Sequence, residues 1–497
     1  IPIDQAKGKH TIYNGHFNAL FGDLKKPVLS KAQIELQHAD KIPPDVAGNK
    51  HAENIRLSKA ARNVAGPAHP AAEFSPLFQE HSAILGKYWA QQLGKFYQPL
   101  SVDEAIWGKA GVDPLDLDTA TGASFQLLYP GVGKKSGIFG LDRGVYIGTA
   151  GSDTKILIDL QWEAWKRGEL FVLPTTYTLK SETLPNAKIW KKRVVNVCDP
   201  ISVVNMRRLF MPLQKAFETL GAASPIQTAL NPLEQYDALA KCLLTYDKLY
   251  DLDFSSFDLT VPQVLLEAVA TFMRHVTGAG ETLSALFKAA MATVCSAPSL
   301  CGTTLFKRDA GVPSGVTCTS HIDGLVGMVI VFFSYQDCFA WNTTPEEYYA
   351  NVWSYHTGDD TAMGSNNPQF TGNDVKQFAE EALLMEITDP DKSGNDIVAR
   401  KLHELSYCSR TFVRVPCNTS LWTGRLKVEA ISGALCYSKS YCDVELRENV
   451  RMWAEEVALH GRDKYAEYSI LVRDLYKDIR LPRWELLCHE LAQRIMS

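Results

Sequence analysis

The stretch "YHTGDDTAMG", residues 355–364, sets two adjacent acids behind a glycine and between short polar residues. Gly and Asp are turn formers, so a two-residue turn joining two short strands accounts for them by shape alone. That reading leaves Asp359 and Asp360 side by side, where their charges repel. A third carboxylate elsewhere in the chain, able to share a divalent cation with them, would give the pair a chemical purpose.

Such an acid lies upstream. "LYDLDFSSFDLTVP" (249–262) reads as a strand, "LYDLDF", that ends in a turn and opens a helix, "VPQVLLEAVATFMRHV", with Pro262 in its first turn. Asp253 and Asp258 flank the strand end. Alone, acids there form a helix N-terminal charge pattern. Together with a Gly-Asp-Asp hairpin they make a set able to hold a pair of Mg2+ ions, as two-metal phosphoryl transfer requires. Between the acidic elements, "GVPSGVTCTSHIDGLVGMVIVFF" (311–333) runs from a small-residue loop, Pro313 to Thr317, into a long apolar helix. Small residues there let a backbone approach a ligand closely, although an ordinary loop before a core helix has the same composition.

Composition bounds the rest. A chain of 497 residues, 46% hydrophobic and 22% charged, can bury a large core, in about three domains or one elaborate one. A net charge of −5 excludes a uniformly basic nucleic-acid coat, so any contact with nucleic acid needs a local positive channel in a mildly acidic body. The eleven cysteines include no CxxC pair and read as reduced thiols and small core residues rather than zinc ligands or disulfides. The longest apolar run, "GLVGMVIVFFSY" (324–335), is too short to span a bilayer, and no charged-then-apolar signal pattern opens the sequence.

The order of acid strand, Ser-Gly loop and acid hairpin resembles motifs A, B and C of viral RNA-dependent RNA polymerases. "PSGVTCTSHIDG" is similar to the picornaviral motif B, but has Asp323 where those polymerases have Asn. That departure resembles picobirnavirus and partitivirus polymerases and points to a double-stranded RNA virus. "KIWKKRVVNVCDPISVVNMRRLF" (188–210) resembles motif F, with Lys191 and Arg193 in its cationic positions. "LDLDTATGASFQLLYPGVGKK" (115–135) resembles motif G in "TATG" (119–122), "ITDPDKSG" (387–394) resembles motif D with its lysine at Lys392, and "YCSRTFVRV" (407–415) resembles the motif E strand pair.

The resemblance implies an α+β right-hand polymerase fold of fingers, palm and thumb, with closed fingertips and an antiparallel palm sheet packed on helices. It divides the chain into an N-terminal extension bridging fingers and thumb (1–70), fingers (71–245), palm with motif A (246–265), a fingers insertion (266–310), palm with motifs B to E (311–417) and thumb (418–497). Asp253, Asp359 and Asp360 are implied as ligands of two Mg2+ ions, for which Mn2+ can substitute, and as catalytic residues together with Lys392, the proton donor to pyrophosphate. NTP binding is implied for Lys191, Arg193, Asp258, Ser314, Gly315, Thr319 and Asp323, of which Asp258, Ser314, Thr319 and Asp323 test for the ribose 2′-hydroxyl. Template binding is implied for Thr121, Gly122, Lys134 and Lys135.

The expected partners are template and product RNA, NTPs and a viral capsid protein, with no membrane span, in the virion interior and host cytoplasm. Cations at 133–135, 191–193 and 207–208 suggest a positive tunnel inside an acidic exterior. A reverse transcriptase would share the metals but place a bulky aromatic where Asp258 stands. A nuclease has no need of the Ser-Gly loop and basic strand. A decayed polymerase that binds virion RNA would lack some of the chemical groups present here.

Overall fold

The run "HIDGLVGMVIVFFSYQ" (321–336) is apolar on nearly every face, and a helix of that kind must be covered on all sides. Every residue of it is buried, and its apolar residues belong to the largest core cluster. The computed structural model describes residues 69–179, 194–278, 280–301, 304–306, 310–389, 396–438 and 443–497, together with the two-residue strands Ile12–Tyr13, Val28–Leu29 and Leu184–Pro185.

In chain order, helices α1 (Ser75–Leu93) and α2 (Gly148–Lys166) precede strands β1 (Thr175–Leu179) and β2 (Val194–Val197). Helices α3 (Pro200–Thr219) and α4 (Tyr236–Leu243) lead to strand β3 (Lys248–Phe254). Then come α5 (Gln263–Val276), α6 (Glu281–Ser296), β4 (Ser299–Cys301), β5 (Thr304–Phe306) and the buried helix α7 (Thr319–Cys338). Strands β6 (Val352–Thr357) and β7 (Asp360–Ser365) form a hairpin, followed by α8 (Gly372–Leu383) and β8 (Ile387–Thr388). Strands β9 (Ser406–Tyr407), β10 (Arg410–Val415) and β11 (Asn418–Leu426) precede helices α9 (Val428–Cys436), α10 (Asp443–Ala458), α11 (Arg462–Leu475) and α12 (Trp484–Met496).

The central sheet is antiparallel in the order β8-β3-β7-β6. Side chains alternate across a strand, and β3 uses that alternation to separate two environments. Tyr250, Leu252 and Phe254 join the large core that holds α5 and α7. Leu249 faces the other way, with Tyr355 and Ala362 of the same sheet, into a second core completed by Tyr407, Phe412 and Trp422 from the neighbouring β9-β10-β11 sheet. Asp251 and Asp253 share that second face by alternation. A separate cluster of Ile431, Leu435, Val450, Val457 and Tyr468 holds the C-terminal helices together. The remaining sheet, β2-β1-β4-β5, lies on the N-terminal side of the chain. Residues 12–13 pair with 437–438, and 28–29 with 184–185.

Several boundaries differ from the sequence reading. Pro262 caps α5 from outside, and a short turn, Phe257–Thr260, carries Asp258 ahead of it. The division at 265/266 cuts α5, and that at 417/418 cuts the turn of the β10–β11 hairpin. Among the described residues, no helix is long and apolar enough to cross a membrane.

Candidate active site

Asp253 near the end of β3 and Asp360 at the start of β7 are direct cross-strand partners. Such partners project from the same face with Cβ atoms about 5 Å apart, where like charges are destabilising. Asp359 shares the two-residue turn with Gly358, whose φ of +63° at the first central position suits glycine in a type II′ turn. The hairpin and the end of β3 therefore deliver three carboxylates to one end of the sheet. Burial, then Asp359 and Asp253, push the Asp360 carboxyl up to about 6 against the opposing charge of Lys427, just beyond β11.

Two loops complete the site. The Val312 N–H donates to the Asp258 carbonyl at 3.0 Å and the Gly311 N–H to that of Val261 at 2.8 Å, tying the turn after β3 to the loop before α7. Ser256 and Cys318, which precede the two helical starts, both hold left-handed backbone (φ 56° and 63°). Non-glycine residues rarely adopt it, and such strain concentrates at functional sites. Just past the first turn of α7, Asp323 is buried, and burial followed by Asp359 and Asp258 holds its carboxyl well above the usual range. Its Oδ1 has no hydrogen-bond partner among the described residues. The fold thus gathers Asp253, Asp258, Asp323, Asp359 and Asp360.

Other expected site residues are placed differently. Ser314 Oγ accepts from the Asn196 N–H at 3.1 Å, and a Cβ on Gly315 would lie 1.9 Å from the Asn196 carbonyl oxygen. The loop approaches the backbone of β2 closely at these two residues. Thr319 Oγ1 lies 2.6 Å from the Val316 carbonyl and 3.1 Å from that of Pro313, so its proton is committed to its own loop.

The residues expected to bind template are placed as follows. Thr121 is buried and donates to the Val132 carbonyl at 2.7 Å, and Gly122 is buried with a φ of +86° where a short helix starts. Lys135 is buried, with Nζ 2.6 Å from Thr119 Oγ1 and 3.0 Å from the Ala120 carbonyl. Lys134 is exposed and pairs with Asp118 at 3.0 Å. Arg207 donates to the carbonyls of Ala105 and Asp113 at 2.7 and 2.5 Å, while Arg208 lies 3.7 Å from the Trp162 ring centroid. Lys135, Arg207 and Arg208 thus turn inward onto carbonyls, a hydroxyl or a π-face, whereas Lys134 stays at the surface. Lys191, Arg193 and Lys392 lie outside the described residues.

The sequence reading missed Lys427 and also His356, whose ring sits beneath the hairpin. The only signal for His356 was its alternation: it falls on the strand face opposite the acids.

The acid set suits a hard divalent cation. Among the described residues no group of three or more His, Cys, Asp or Glu side chains is drawn together tightly enough to hold a metal ion by itself. Mg2+ keeps several waters and binds through one or two carboxylates plus substrate phosphates, so an open set of charge-coupled acids is compatible with it. Burial first, and then repulsion by Asp359 and Asp253, raises the Asp360 carboxyl, and such a cation would relieve the repulsive part.

A four-stranded antiparallel sheet with opposed acids, backed by buried helices and followed by a separate helical C-terminal cluster, has the layout of the right-hand polymerase fold. The structure of the Sicinivirus 3Dpol RNA dependent RNA polymerase is similar, with a TM-score of 0.73 at 14% identity over 100% of this chain and 98% of that one. Residues 88–479 match the viral RNA-dependent RNA polymerase family, and the chain belongs to it. Its relatives include the RNA1 polyprotein of Broad bean wilt virus 2 (24% identical over 81% of this chain) and that of Grapevine fanleaf virus (26% over 90%). The chain spans 22% and 19% of the length of those two relatives. These are picorna-like plant virus proteins, so the kinship with picobirnavirus and partitivirus polymerases inferred from Asp323 does not hold. One acid in place of an amide was too slender a mark of lineage.

Proposed function

We propose that the chain copies an RNA template by transferring ribonucleoside monophosphates from NTPs to an RNA 3′-hydroxyl during viral replication. One observation carries this reading: Asp360 stands directly opposite Asp253, with Asp359 on the adjoining turn. Opposed like charges cost a sheet stability unless a cation joins them. Asp253 and Asp359 would hold two Mg2+ ions, with Asp360 a weaker or outer ligand and Mn2+ a substitute. Bound there, divalent ions supply a lowered pKa for the attacking hydroxyl and charge stabilisation for the pyrophosphate that leaves.

The chain's own side chains select and orient the nucleotide. Burial, then Asp359 and Asp258, hold the Asp323 carboxyl well above the usual carboxylate range, and in its protonated form it can donate a hydrogen bond to the ribose 2′-hydroxyl. Asp258 offers an acceptor, and a 2′-hydroxyl both donates and accepts. Thr319 can contribute only lone pairs, its proton being engaged within the loop. Lys191 and Arg193 would neutralise the triphosphate, and Lys392 would protonate the leaving pyrophosphate.

The test is Asp359→Ala, assayed for single-nucleotide incorporation on an RNA template. Removing one of several repelling carboxylates should leave thermal unfolding unchanged or slightly improved while incorporation disappears. Synthesis at the wild-type rate would overturn the metal assignment.

A further inference from the structure

His356 is fully buried, and both of its ring nitrogens are engaged. Nε2 lies 2.8 Å from Ser354 Oγ on the same strand, and Nδ1 lies 2.9 Å from Thr361 Oγ1, its direct partner across the hairpin. A neutral imidazole has one N–H and one lone pair, so one hydroxyl accepts and the other donates. Burial keeps the ring neutral, lowering its pKa to about 3. The backbone is held as well: the His356 N–H donates to the Pro225 carbonyl at 2.8 Å, and the His356 carbonyl accepts from the Gln227 N–H at 2.9 Å.

Helix α7 is shaped to receive this ring. A Cβ on Gly327 would lie 2.7 Å from His356 Nδ1, and one on Gly324 would lie 3.5 Å from His356 Cβ and 3.2 Å from Ile226 Cγ2. The Gly358 N–H of the acid turn donates to the Ser320 carbonyl at 3.3 Å. Ser320, Gly324 and Gly327 are spaced i, i+4, i+7 and so share one helix face, with Asp323 adjoining it. An apolar side chain would fill the gap without needing two hydroxyls. A fully satisfied polar network instead imposes a single geometry.

We propose that His356 is a positioning residue: wedged between the hairpin and the glycine face of α7, it sets the distance from the acid turn to Asp323 and thereby tunes discrimination between ribose and deoxyribose. The proposal rests on the polymerase reading above. Both ends of the spacing belong to that site, Asp359 on the turn and Asp323 on the helix, and a shift of about an ångström between them can cost catalysis heavily.

The test compares kcat/KM for a ribonucleotide and its 2′-deoxy counterpart on an RNA primer-template, using the full chain. Thr361→Val keeps the shape and removes one ring hydrogen bond. Gly327→Ala pushes a methyl against the ring, and His356→Asn shortens the wedge. Each should lower the ribose preference by roughly fivefold, the worth of about one hydrogen bond. In the double variant Gly327→Ala/His356→Asn, the smaller side chain should restore part of the preference lost in Gly327→Ala, a non-additivity expected of residues in contact. A merely structural role would lower incorporation of both sugars equally. That outcome in Thr361→Val and Gly327→Ala, or strict additivity in the double variant, overturns the proposal even if His356→Asn alone fails to fold. Absence of incorporation by the wild-type chain overturns the polymerase reading instead.

Discussion

At Asp323, the chemistry depends on a proton that the sequence does not display. A carboxylate cannot donate a hydrogen bond, whereas the amide found at this position in picornaviral relatives can. Burial on α7, with Asp359 and Asp258 nearby, raises the pKa, which favours the protonated, donating form over the ionised one. Asp323→Asn, which donates whatever the pH, should therefore keep the ribose preference. Asp323→Leu, close in size but apolar, should lower the preference about fivefold, or about 1 kcal/mol for a neutral hydrogen bond. Competition between ribo- and deoxyribonucleotides would show it; a collapse of selectivity in the Asn variant would mean that the native group works as an ionised acceptor. The residue was visible in the sequence. Its protonation state was not, because its neighbours come from two other segments of the chain.

At the level of elements, what could be read early was local. The alternation in "LYDLDF", the Gly-Asp turn and the continuous apolarity of α7 each specify a structure within a dozen or so residues. The pairing of β11 back onto β10 could not be read this way, because a strand's partner is chosen by the core beneath it. A segment assigned to the thumb thus became part of the sheet facing the acids. That sheet is tied to α10 by Arg410, whose two terminal nitrogens reach the Glu456 carboxylate at 3.0 and 2.6 Å, one of them also reaching the Gly424 carbonyl at 2.6 Å. Both side chains are mostly buried, at 12% and 9% exposed. Arg410→Ala leaves Glu456 without its counter-charge and should cost about 3–5 kcal/mol in denaturant unfolding. Replacing both by apolar residues of similar volume, Arg410→Met with Glu456→Leu, should cost much less, because no charge is then stranded. A loss below about 1 kcal/mol in Arg410→Ala would show a solvated pair with little structural role.

For the whole molecule, a chain of net charge −5 must attract a polyanion locally if it is to bind one at all. The sequence marks seven cations for that task, Lys134, Lys135, Lys191, Lys192, Arg193, Arg207 and Arg208, but three of them serve the fold. Lys135, Arg207 and Arg208 spend their donors or their planar face on backbone carbonyls, a threonine hydroxyl and Trp162. Burial lowers the pKa of all three, that of Arg208 to about 10. The two roles separate in a salt titration of single-stranded RNA binding, where each neutralised phosphate contributes about −0.7 to the slope of log K against log salt. Lys135→Met should leave that slope unchanged while lowering the unfolding midpoint, since it strips Thr119 and Ala120 of their shared donor. Lys191→Ala combined with Arg193→Ala should flatten the slope by about 1.4, two phosphates' worth, with little change in stability. Should Lys135→Met flatten the slope without loss of stability, its ammonium must leave the Thr119–Ala120 loop to meet RNA, and the positive path would extend into the motif G segment after all.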